Sequence, residues 1–277
     1  MQRNRNRSAI APAQGHAARS ISSIAGSSIP LASRLADPRH LHSVTISGLS
    51  IFLPCHNEEG NIERVVEALE SELPKVSTRY EIVVVDDGSR DRTGEIADRL
   101  ATANPNVKVV HHRTNRGYGA AVVSGIRACT QPWAVLCDGD GQFEASDIAK
   151  LAAKTPDYDV VVGRRAHRAD PLMRRVNGKA WTLLMRLLLG IRISDVDCGL
   201  KLFRRDLLEG VSLQAKGAMI SAELMAQLTG RAKICEVDVR HLPRVAGQQS
   251  GASMRVIMRA FKELLLLRGR LLRARHL

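Results

Sequence analysis

The chain has 277 residues, which is enough for one large hydrophobic core or two small ones. It carries 41 Lys and Arg against 28 Asp and Glu, and the formal net charge of +13 favours an anionic partner such as nucleic acid, an anionic membrane or a phosphorylated substrate. Aromatic residues make up only 3%, which argues against stacking platforms for single-stranded nucleic acid.

The five cysteines are odd in number and show no CxxC spacing. We therefore expect reduced, mostly buried thiols of a cytosolic protein rather than a disulfide framework or a zinc site. No stretch approaches the ~18 apolar residues of a membrane span, and no apolar segment follows the basic N-terminus as in a secretory signal. Any membrane contact is expected to be peripheral.

Composition divides the chain into three parts. Residues 1–45 are rich in Ser, Ala, Arg and Gly without periodicity, which predicts a disordered basic tail. Residues 46–252 form the predicted folded domain. Residues 253–277 form a separate amphipathic and basic C-terminal helix.

Strands and helices alternate in the first part of the domain. Short apolar runs predict strands at residues 47–54, 80–85, 107–111, 133–137 and 159–163. Helical spacing predicts helices at residues 57–73, 91–103, 119–128 and 147–154. This alternation predicts a parallel sheet with helices on both faces.

The pattern changes after residue 165. A basic amphipathic helix is predicted at residues 172–189, and further strands at 198–203 and 233–241. In the last helix a leucine-rich face lies opposite arginines and lysines. This pattern fits an interfacial helix on anionic lipid, and it equally fits an ordinary helix packed on the core.

Two acids follow the fourth predicted strand, in the tripeptide Asp138-Gly139-Asp140. Residues i and i+2 of a strand share a face, and Mg²⁺ is typically held by one or two carboxylates plus substrate phosphates. Asp-Gly is also a common turn pair, so the tripeptide alone leaves both interpretations open. Three other polar clusters, at residues 56–58, 86–89 and 115–117, also follow predicted strands. Ligands bind beyond the carboxyl ends of parallel strands, so we expect one common site.

The segments Leu53–Glu59 and Glu81–Thr93, together with the acid pair, resemble a family-2 glycosyltransferase of the GT-A fold. The resemblance covers about residues 48–268 and implies an α/β, Rossmann-like three-layer sandwich with a mostly parallel central sheet and C-terminal amphipathic helices. It implies donor-nucleotide binding by Pro54, Asn57, Glu58, Asp86, Asp87, Gly117, Gly119, Asp138 and Gly139. For Asn57 and Asp91, helix capping is the alternative interpretation.

In the same family, the acid pair corresponds to a metal-binding DXD motif. The resemblance implies Asp138, Asp140 and Gln142 as ligands of Mg²⁺ or Mn²⁺. Such a cation would neutralise the donor diphosphate and stabilise the leaving nucleoside diphosphate.

Two further segments resemble the polyprenyl-phosphate branch of the family. Gly163-Arg164-Arg165 matches a Gly-x-Arg segment that carries acceptor-phosphate arginines, and Arg168 follows it in the same basic cluster. An arginine run is otherwise a solvated face or a nucleic-acid contact, but arginine also matches phosphate geometry bidentately. Residues 194–204 resemble an element of polyprenol-phosphate mannose and glucose synthases, with Leu200 in place of the usual Phe.

This branch resemblance assigns further roles. It implies Asp195, Arg164 and Arg165 as the catalytic group near the acceptor. Glu223 matches another acidic position of the family. Its carboxylate has two alternative roles, to orient an arginine or to take part in the reaction. Residues 241–250 resemble an Arg-x-x-Gly-x-Ser loop with one extra Gln, which implies that Arg244 and Ser250 bind the diphosphate.

The resemblance implies inverting, metal-dependent transfer of a hexose to a polyprenyl phosphate, by a peripheral enzyme at the cytoplasmic face of the cell membrane. GDP-mannose is the first expected donor and UDP-glucose the second. One rival is a glycosyltransferase with a soluble acceptor such as glycerate or a protein. The other is a non-enzymatic nucleic-acid binder, which the scarce aromatics and the clustered acids disfavour, so no nucleic-acid partner is expected.

Overall fold

The structure of the protein, a computed structural model, describes residues 45–165, 172–244 and 254–274. The predictions for residues 1–44, Arg168 and Ser250 lie outside the described residues. The strands are β1 (Leu49–Cys55), β2 (Tyr80–Asp86), β3 (Val107–His111), β4 (Trp133–Cys137), β5 (Val160–Arg165), β6 (Leu200–Arg204) and β7 (Ile234–Val239). The helices are α1 (Ile62–Val76), α2 (Thr93–Ala103), α3 (Tyr118–Ala128), α4 (Asp147–Ala152), α5 (Leu172–Leu189), α6 (Asp206–Glu209), α7 (Met219–Leu228) and α8 (Met254–Ala274).

The seven strands form one sheet in the order β3-β2-β1-β4-β6-β5-β7. Neighbouring strands are parallel except where β6 pairs antiparallel with β4 and with β5. The predicted α/β architecture with a mostly parallel central sheet is confirmed. The carboxyl ends of β1, β2 and β4 meet at one edge, because these strands run in the same direction.

Each face of the sheet supports a hydrophobic core, since successive strand side chains point to opposite faces. On β1, Phe52 packs with α3, α5, α7 and α8, whereas Ile51 and Leu53 pack with α1, α2 and α4. The same alternation continues on β2, where Val83 lies on the α3 side and Val84 on the α1 side. These two cores give the three layers and hold the strand ends in fixed positions.

The first helix begins later than its sequence pattern predicts. Asn57 has a φ of +57°, a left-handed conformation that Asn tolerates better than most residues. Residues 57–61 therefore form a loop, and α1 starts at Ile62. The capping interpretation of Asn57 is wrong, whereas Asp91 does accept the Thr93 N–H at the start of α2 at 3.0 Å.

Two helices, α6 and α7, are absent from the sequence prediction. In α7 nine of the ten residues are buried, so the helix has no polar face and no amphipathic period to detect. No helix in the described part of the chain is both long and apolar enough to cross a membrane. All five cysteines are free, and all but Cys235 are buried, as expected from their number and spacing.

Candidate active site

A cleft of about 1020 Å³ lies at the edge of the sheet where β1, β2 and β4 end. Polar residues from all four predicted clusters line it, together with a loop before α7 and a segment after β7. The lining residues are Pro54, Cys55, His56, Asn57, Glu58, Asp87, Asn115, Arg116, Gly117, Tyr118, Ala121, Asp138, Gly139, Asp140, Lys216, Gly217 and Arg244. The clusters that the sequence separates by as many as 80 positions thus form one site.

The loop after β1 is fixed to the loop after β2 through Asn57. Its backbone N–H donates to Ser89 Oγ at 3.0 Å, and its side-chain oxygen accepts the Arg90 N–H at 2.8 Å. The adjoining Glu58 N–H donates to Thr93 Oγ1 at 2.8 Å. These bonds hold Asn57 and Glu58 at the cleft, where the family resemblance predicts the donor nucleotide.

The two acids at the end of β2 have different surroundings. Asp86 accepts the Ser89 N–H at 3.0 Å and faces His111 Nδ1 at 3.1 Å. Although burial raises its pKa, hydrogen bonds from Ser89 and the nearby His111 lower the pKa of Asp86 below its usual value. Both oxygens of the Asp86 carboxylate thus have partners within the protein. Its contact with the donor nucleotide stays a prediction.

Asp87 organises the opposite wall of the cleft. One carboxylate oxygen contacts His112 Nδ1 at 2.6 Å and accepts the Arg116 N–H at 2.9 Å, and the other accepts the Gly117 N–H at 2.8 Å. A buried carboxylate with several donors is well satisfied. Asp87 therefore shapes the turn before α3, whether or not it also contacts a ligand.

The glycines of this turn let two protein backbones approach closely. The Gly119 N–H donates to the Lys216 carbonyl at 2.9 Å, and a Cβ atom on Gly119 would overlap the Ala215 carbonyl oxygen. Gly117 has a φ of +91°, which favours glycine. Both glycines thus hold the loop that brings Lys216 into the cleft, a role distinct from the predicted contact with donor phosphates.

Asp138 is held by two hydrogen bonds, one with a tyrosine of α3 and one with the backbone just before β6. The Tyr118 hydroxyl donates to Asp138 Oδ1 at 2.8 Å, and the Asp138 N–H donates to the Gly199 carbonyl at 3.2 Å. A Cβ atom on Gly199 would overlap the Asp138 carboxylate, so only glycine leaves room for it. Burial, followed by the charge of Asp140, raises the pKa of Asp138 to about 6.

Arg244 lies between two carboxylates of the cleft. Its guanidinium forms ion pairs with Glu58 and, at 3.5 Å, with Asp140 Oδ2. The Gln142 side chain donates to the Leu242 carbonyl at 3.1 Å, which fixes the segment that carries Arg244. Gln142 thus has an observed contact with this segment, and its predicted metal-binding role stays a prediction.

The chemistry of Asp138 and Asp140 fits a divalent cation, because two carboxylates can supply part of its oxygen ligands. Among residues 45–165, 172–244 and 254–274, no group of three or more His, Cys, Asp and Glu side chains could hold a metal by itself. Burial, and then the negative charge of Asp140, raise the pKa of Asp138, and the Arg244 guanidinium lies beside Asp140. One or two carboxylates completed by phosphate oxygens are the arrangement in which Mg²⁺ usually binds.

The two adjacent arginines at the end of β5 point to different partners. Arg165 forms a bidentate ion pair with Asp195, with both N–O distances at 2.7 Å, and both side chains are largely buried. Its charge is close enough to lower the pKa of Asp138. Arg164 is half exposed and pairs with Asp238 of β7 at 2.6 Å. Arg165 is therefore the arginine on the side of the acid pair.

Sequence reasoning missed three residues of this region: Tyr118, Lys216 and Lys201. Lys201 is completely buried on β6, where its ammonium donates to the Cys198 carbonyl and to Ser221 Oγ at 3.4 Å. Burial lowers the pKa of Lys201, while nearby acids including Asp138 oppose the shift. A lysine between Leu200 and Leu202 was the available signal, because a charge inside an apolar strand rarely lacks a role.

A carboxylate-lined cleft at the carboxyl edge of a mostly parallel sheet lies where α/β proteins bind their ligands. Residues 50–211 match the model of the family described as Glycosyl transferase family 2. This match covers more than half of the chain, and the chain belongs to that family. The predicted family and the predicted class of enzyme, a glycosyltransferase, are confirmed.

Two of the relatives share one name, undecaprenyl-phosphate 4-deoxy-4-formamido-L-arabinose transferase. The protein from Pseudomonas fluorescens (strain Pf0-1) is 30% identical over 212 residues, which cover 76% of this chain and 62% of the relative. The protein from Shewanella sediminis (strain HAW-EB3) is 29% identical over 219 residues, which cover 78% and 65%. The chain thus spans less than two thirds of these relatives, and their names give no support to mannose as the sugar.

Solved structures with the same fold include glucosyl-3-phosphoglycerate synthase from Mycobacterium tuberculosis. Its complex with phosphoglyceric acid has a TM-score of 0.63 at 20% identity, covering 80% of each chain. Its complex with Mn²⁺, UDP-glucose and phosphoglyceric acid has a TM-score of 0.62, also at 20% identity and 80% coverage. At this identity the likeness establishes the GT-A fold alone.

Proposed function

We propose that the protein transfers a sugar from a nucleoside diphosphate sugar to the phosphate of a polyprenyl phosphate. The observation that carries this proposal is a short chain of backbone contacts between the acid pair and the Arg165–Asp195 ion pair: the Asp138 N–H donates to the Gly199 carbonyl at 3.2 Å, and the adjoining Cys198 N–H donates to the Asp195 carbonyl at 3.2 Å. In this proposal the acid pair serves the donor diphosphate, and Arg165 serves the phosphate of the acceptor. The undecaprenyl-phosphate transferases among the relatives support the same acceptor class.

In this reaction an oxygen of the acceptor phosphate attacks C1 of the sugar. The new C1–O bond forms as the bond from C1 to the diphosphate breaks on the opposite face, so the configuration inverts. An ionised phosphate needs no strong base, and catalysis then depends on positioning and on preorganised charge. Asp195 fixes the orientation of Arg165, which provides such a charge for the acceptor.

The donor side of the cleft supplies the complementary parts. Mg²⁺ or Mn²⁺ held by Asp138 and Asp140 would neutralise the diphosphate and stabilise it as a leaving group. Arg244 is placed to bind a diphosphate oxygen once Asp140 has another partner. Lys216 adds a further positive charge to the cleft lining.

The names of the relatives change the order in which donors should be tested. A nucleoside diphosphate derivative of 4-deoxy-4-formamido-L-arabinose comes first, ahead of UDP-glucose and GDP-mannose. A polyprenyl phosphate resides in a membrane, so the reaction takes place at a membrane surface. Five free cysteines support the reducing cytoplasmic face as the side on which the enzyme works.

The test is a donor and acceptor panel with the purified chain. Each radiolabelled donor is incubated with undecaprenyl phosphate or 3-phosphoglycerate, with Mg²⁺, Mn²⁺ or EDTA, and the products are separated into organic and aqueous phases. We expect label in the organic phase, dependent on the cation. Label only in an aqueous product would establish the rival with a soluble acceptor, and donor turnover without any acceptor product would contradict the proposed transfer.

A further inference from the structure

Two helices carry exposed large apolar side chains. In the described part of the chain, the large hydrophobic residues that are exposed lie on α5 (Leu183 and Leu187) and on α8 (Phe261, Leu265 and Leu266). We refer to these five residues as the α5–α8 surface; their exposed fractions run from 41% to 69%. Scattered exposed leucines are normal in soluble proteins, but grouping on one pair of helices marks an interaction site.

Two contacts join α5 to α8 beside this surface. Trp181 of α5 packs edge to face on Phe261 of α8, with ring centroids 5.3 Å apart. Arg268 donates to the Leu188 carbonyl at 2.7 Å, which joins the end of α5 to α8. Leu264 and Leu267 of α8 are buried in the core, as the core-packing interpretation predicts, whereas the two leucines between them are exposed.

The charges around this surface favour one kind of partner. The sequence of α5 contains four basic residues and no acid, and that of α8 contains six basic residues and one acid. Arg186, Lys262 and Arg273 are exposed beside the apolar side chains. A second copy of the chain would bring like charges together, whereas an anionic lipid surface offers both opposite charge and an apolar interior.

Helix α8 is connected to the cleft by a short chain of contacts. Arg270 of α8 pairs with Glu223 at 3.1 Å and donates to Gln214 Oε1 at 2.6 Å. Glu223 in turn accepts the N–H groups of Gln214 and Ala215 at 2.8 and 2.7 Å. The next residue, Lys216, lines the cleft. Of the two roles weighed for Glu223, the observed contacts match orientation of an arginine.

We propose that α5 and α8 together dock the protein on an anionic membrane surface. The α5–α8 surface enters the boundary between headgroups and acyl chains, and the flanking arginines and lysines lie at the level of the lipid phosphates. The docking site is thus a composite of two helices rather than the C-terminal helix alone. This inference rests on the proposed function in one respect: a polyprenyl phosphate acceptor is held in the same membrane that the helices contact.

The test measures binding of the full chain to vesicles of phosphatidylcholine with and without phosphatidylglycerol. We expect co-sedimentation only with the anionic vesicles, reduced by high salt. Replacing Leu183, Leu187, Leu265 and Leu266 by Ser should lower the partition coefficient by more than about tenfold. The pair Arg186→Gln and Lys262→Gln should lower it about fivefold for each charge removed.

A matched pair of charge changes controls for the loss of net charge. Lys75→Gln and Arg99→Gln remove two exposed charges from α1 and α2, on the other side of the sheet, and should leave vesicle binding unchanged. All variants should keep the wild-type melting temperature, because every substituted side chain is exposed. If both charge pairs reduce binding equally, attraction is nonspecific and the docking site is wrong.

Further readouts separate the failure of this inference from the failure of the proposed function. Transfer to a short-chain polyprenyl phosphate in detergent should survive the leucine substitutions, while transfer to undecaprenyl phosphate in vesicles should fall. Transfer without vesicle binding would overturn the docking proposal alone, and vesicle binding without transfer would overturn the function alone. A wild-type dimer that the leucine substitutions convert to a monomer, without any vesicle binding, would show that a second copy covers the surface instead.

Discussion

Asp140 is the single residue on which the proposed metal dependence is most sharply testable. It lines the cleft and has Arg244 as a cationic neighbour at 3.5 Å. Asp140→Asn removes one negative charge from the cation site, and we expect metal-dependent transfer to fall about a hundredfold or more. Initial rates measured across Mn²⁺ concentrations, together with Mn²⁺ binding in the presence of donor, check this.

The matched control is Asp157→Asn, which changes an exposed carboxylate in the turn before β5. It should leave both the rate and Mn²⁺ binding unchanged. If Asp140→Asn retained wild-type Mn²⁺ binding and wild-type transfer, the assignment of Asp140 to the metal would be wrong.

His111 gives the protein a pH-dependent stability. Its two ring nitrogens lie 3.0 Å from Asp98 and 3.1 Å from Asp86. The hydrogen bond with Asp98, and then that with Asp86, raise the pKa of His111 above its ordinary 6.5 although burial opposes the shift. The pKa of His111 is therefore higher in the folded protein than in the unfolded chain. The stabilisation that its charged form provides is complete below about pH 6.5, and it is lost as the pH rises through the pKa of the folded state.

The melting temperature of the wild-type protein should be higher than that of His111→Gln, by an amount that depends on pH. Wild type should exceed His111→Gln most at about pH 6, and the difference should shrink as the pH rises to about 8. Differential scanning calorimetry of both proteins across this range measures it. A difference that does not vary with pH would mean that His111 is uncharged in the folded protein throughout.

At the scale of elements, the start of α3 depends on a glycine that meets another backbone. A Cβ atom on Gly119 would overlap the Ala215 carbonyl, and neither backbone can move without breaking the bond from the Gly119 N–H to Lys216. Gly119→Ala should therefore lower the free energy of unfolding by about 1–3 kcal/mol. It should also raise the KM for the donor, because Lys216 is displaced from the cleft.

Another helical glycine provides the control. Gly269 of α8 has no atom within 4 Å of an added Cβ, so Gly269→Ala should stabilise the protein by about 0.5–1 kcal/mol. Denaturant unfolding measures the stability of both variants, and donor kinetics measure their KM. Together they distinguish a clash at Gly119 from a general effect of placing alanine in a helix. Equal stabilisation by the two substitutions would contradict the proposed role of Gly119.

The elements also show which parts of the fold a single sequence can predict. β1 to β5 follow from local patterns, because each is a short apolar run that precedes a helix or a polar cluster. The antiparallel direction of β6 does not, since it depends on where α5 and residues 190–199 return to the sheet. Helix α7 is buried nearly all round, so periodicity carried no signal for it.

The same limit applied to the site. The four polar clusters could be predicted to meet, because parallel strands align their carboxyl ends at one edge. The choice between Arg164 and Arg165 could not, because it depends on distant partners: Asp238 on β7 holds one, and Asp195 holds the other. Asp87 likewise looked like a ligand contact, and its bonds to the turn before α3 appear only in three dimensions.

At the scale of the whole molecule, both cores and the cleft are built from residues after position 45. The segment Leu41–Leu277 is one compact unit, and both hydrophobic cores lie inside it. A chain that begins at Leu41 should therefore fold with a melting temperature within about 2 °C of the full chain, because it keeps all the residues of the two described cores. Thermal unfolding of the two chains side by side measures this.

The shortened chain also separates two sources of positive charge in membrane binding. Residues 1–40 contain six arginines and one aspartate, a large share of the formal +13. If α5 and α8 form the docking site, the shortened chain should still bind anionic vesicles and should still lose that binding on replacement of the four surface leucines. Removal of residues 1–40 weakens only the long-range attraction, which salt screens over about 10 Å at 0.1 M. A shortened chain that folds but no longer binds vesicles would assign membrane attachment to the N-terminal arginines instead.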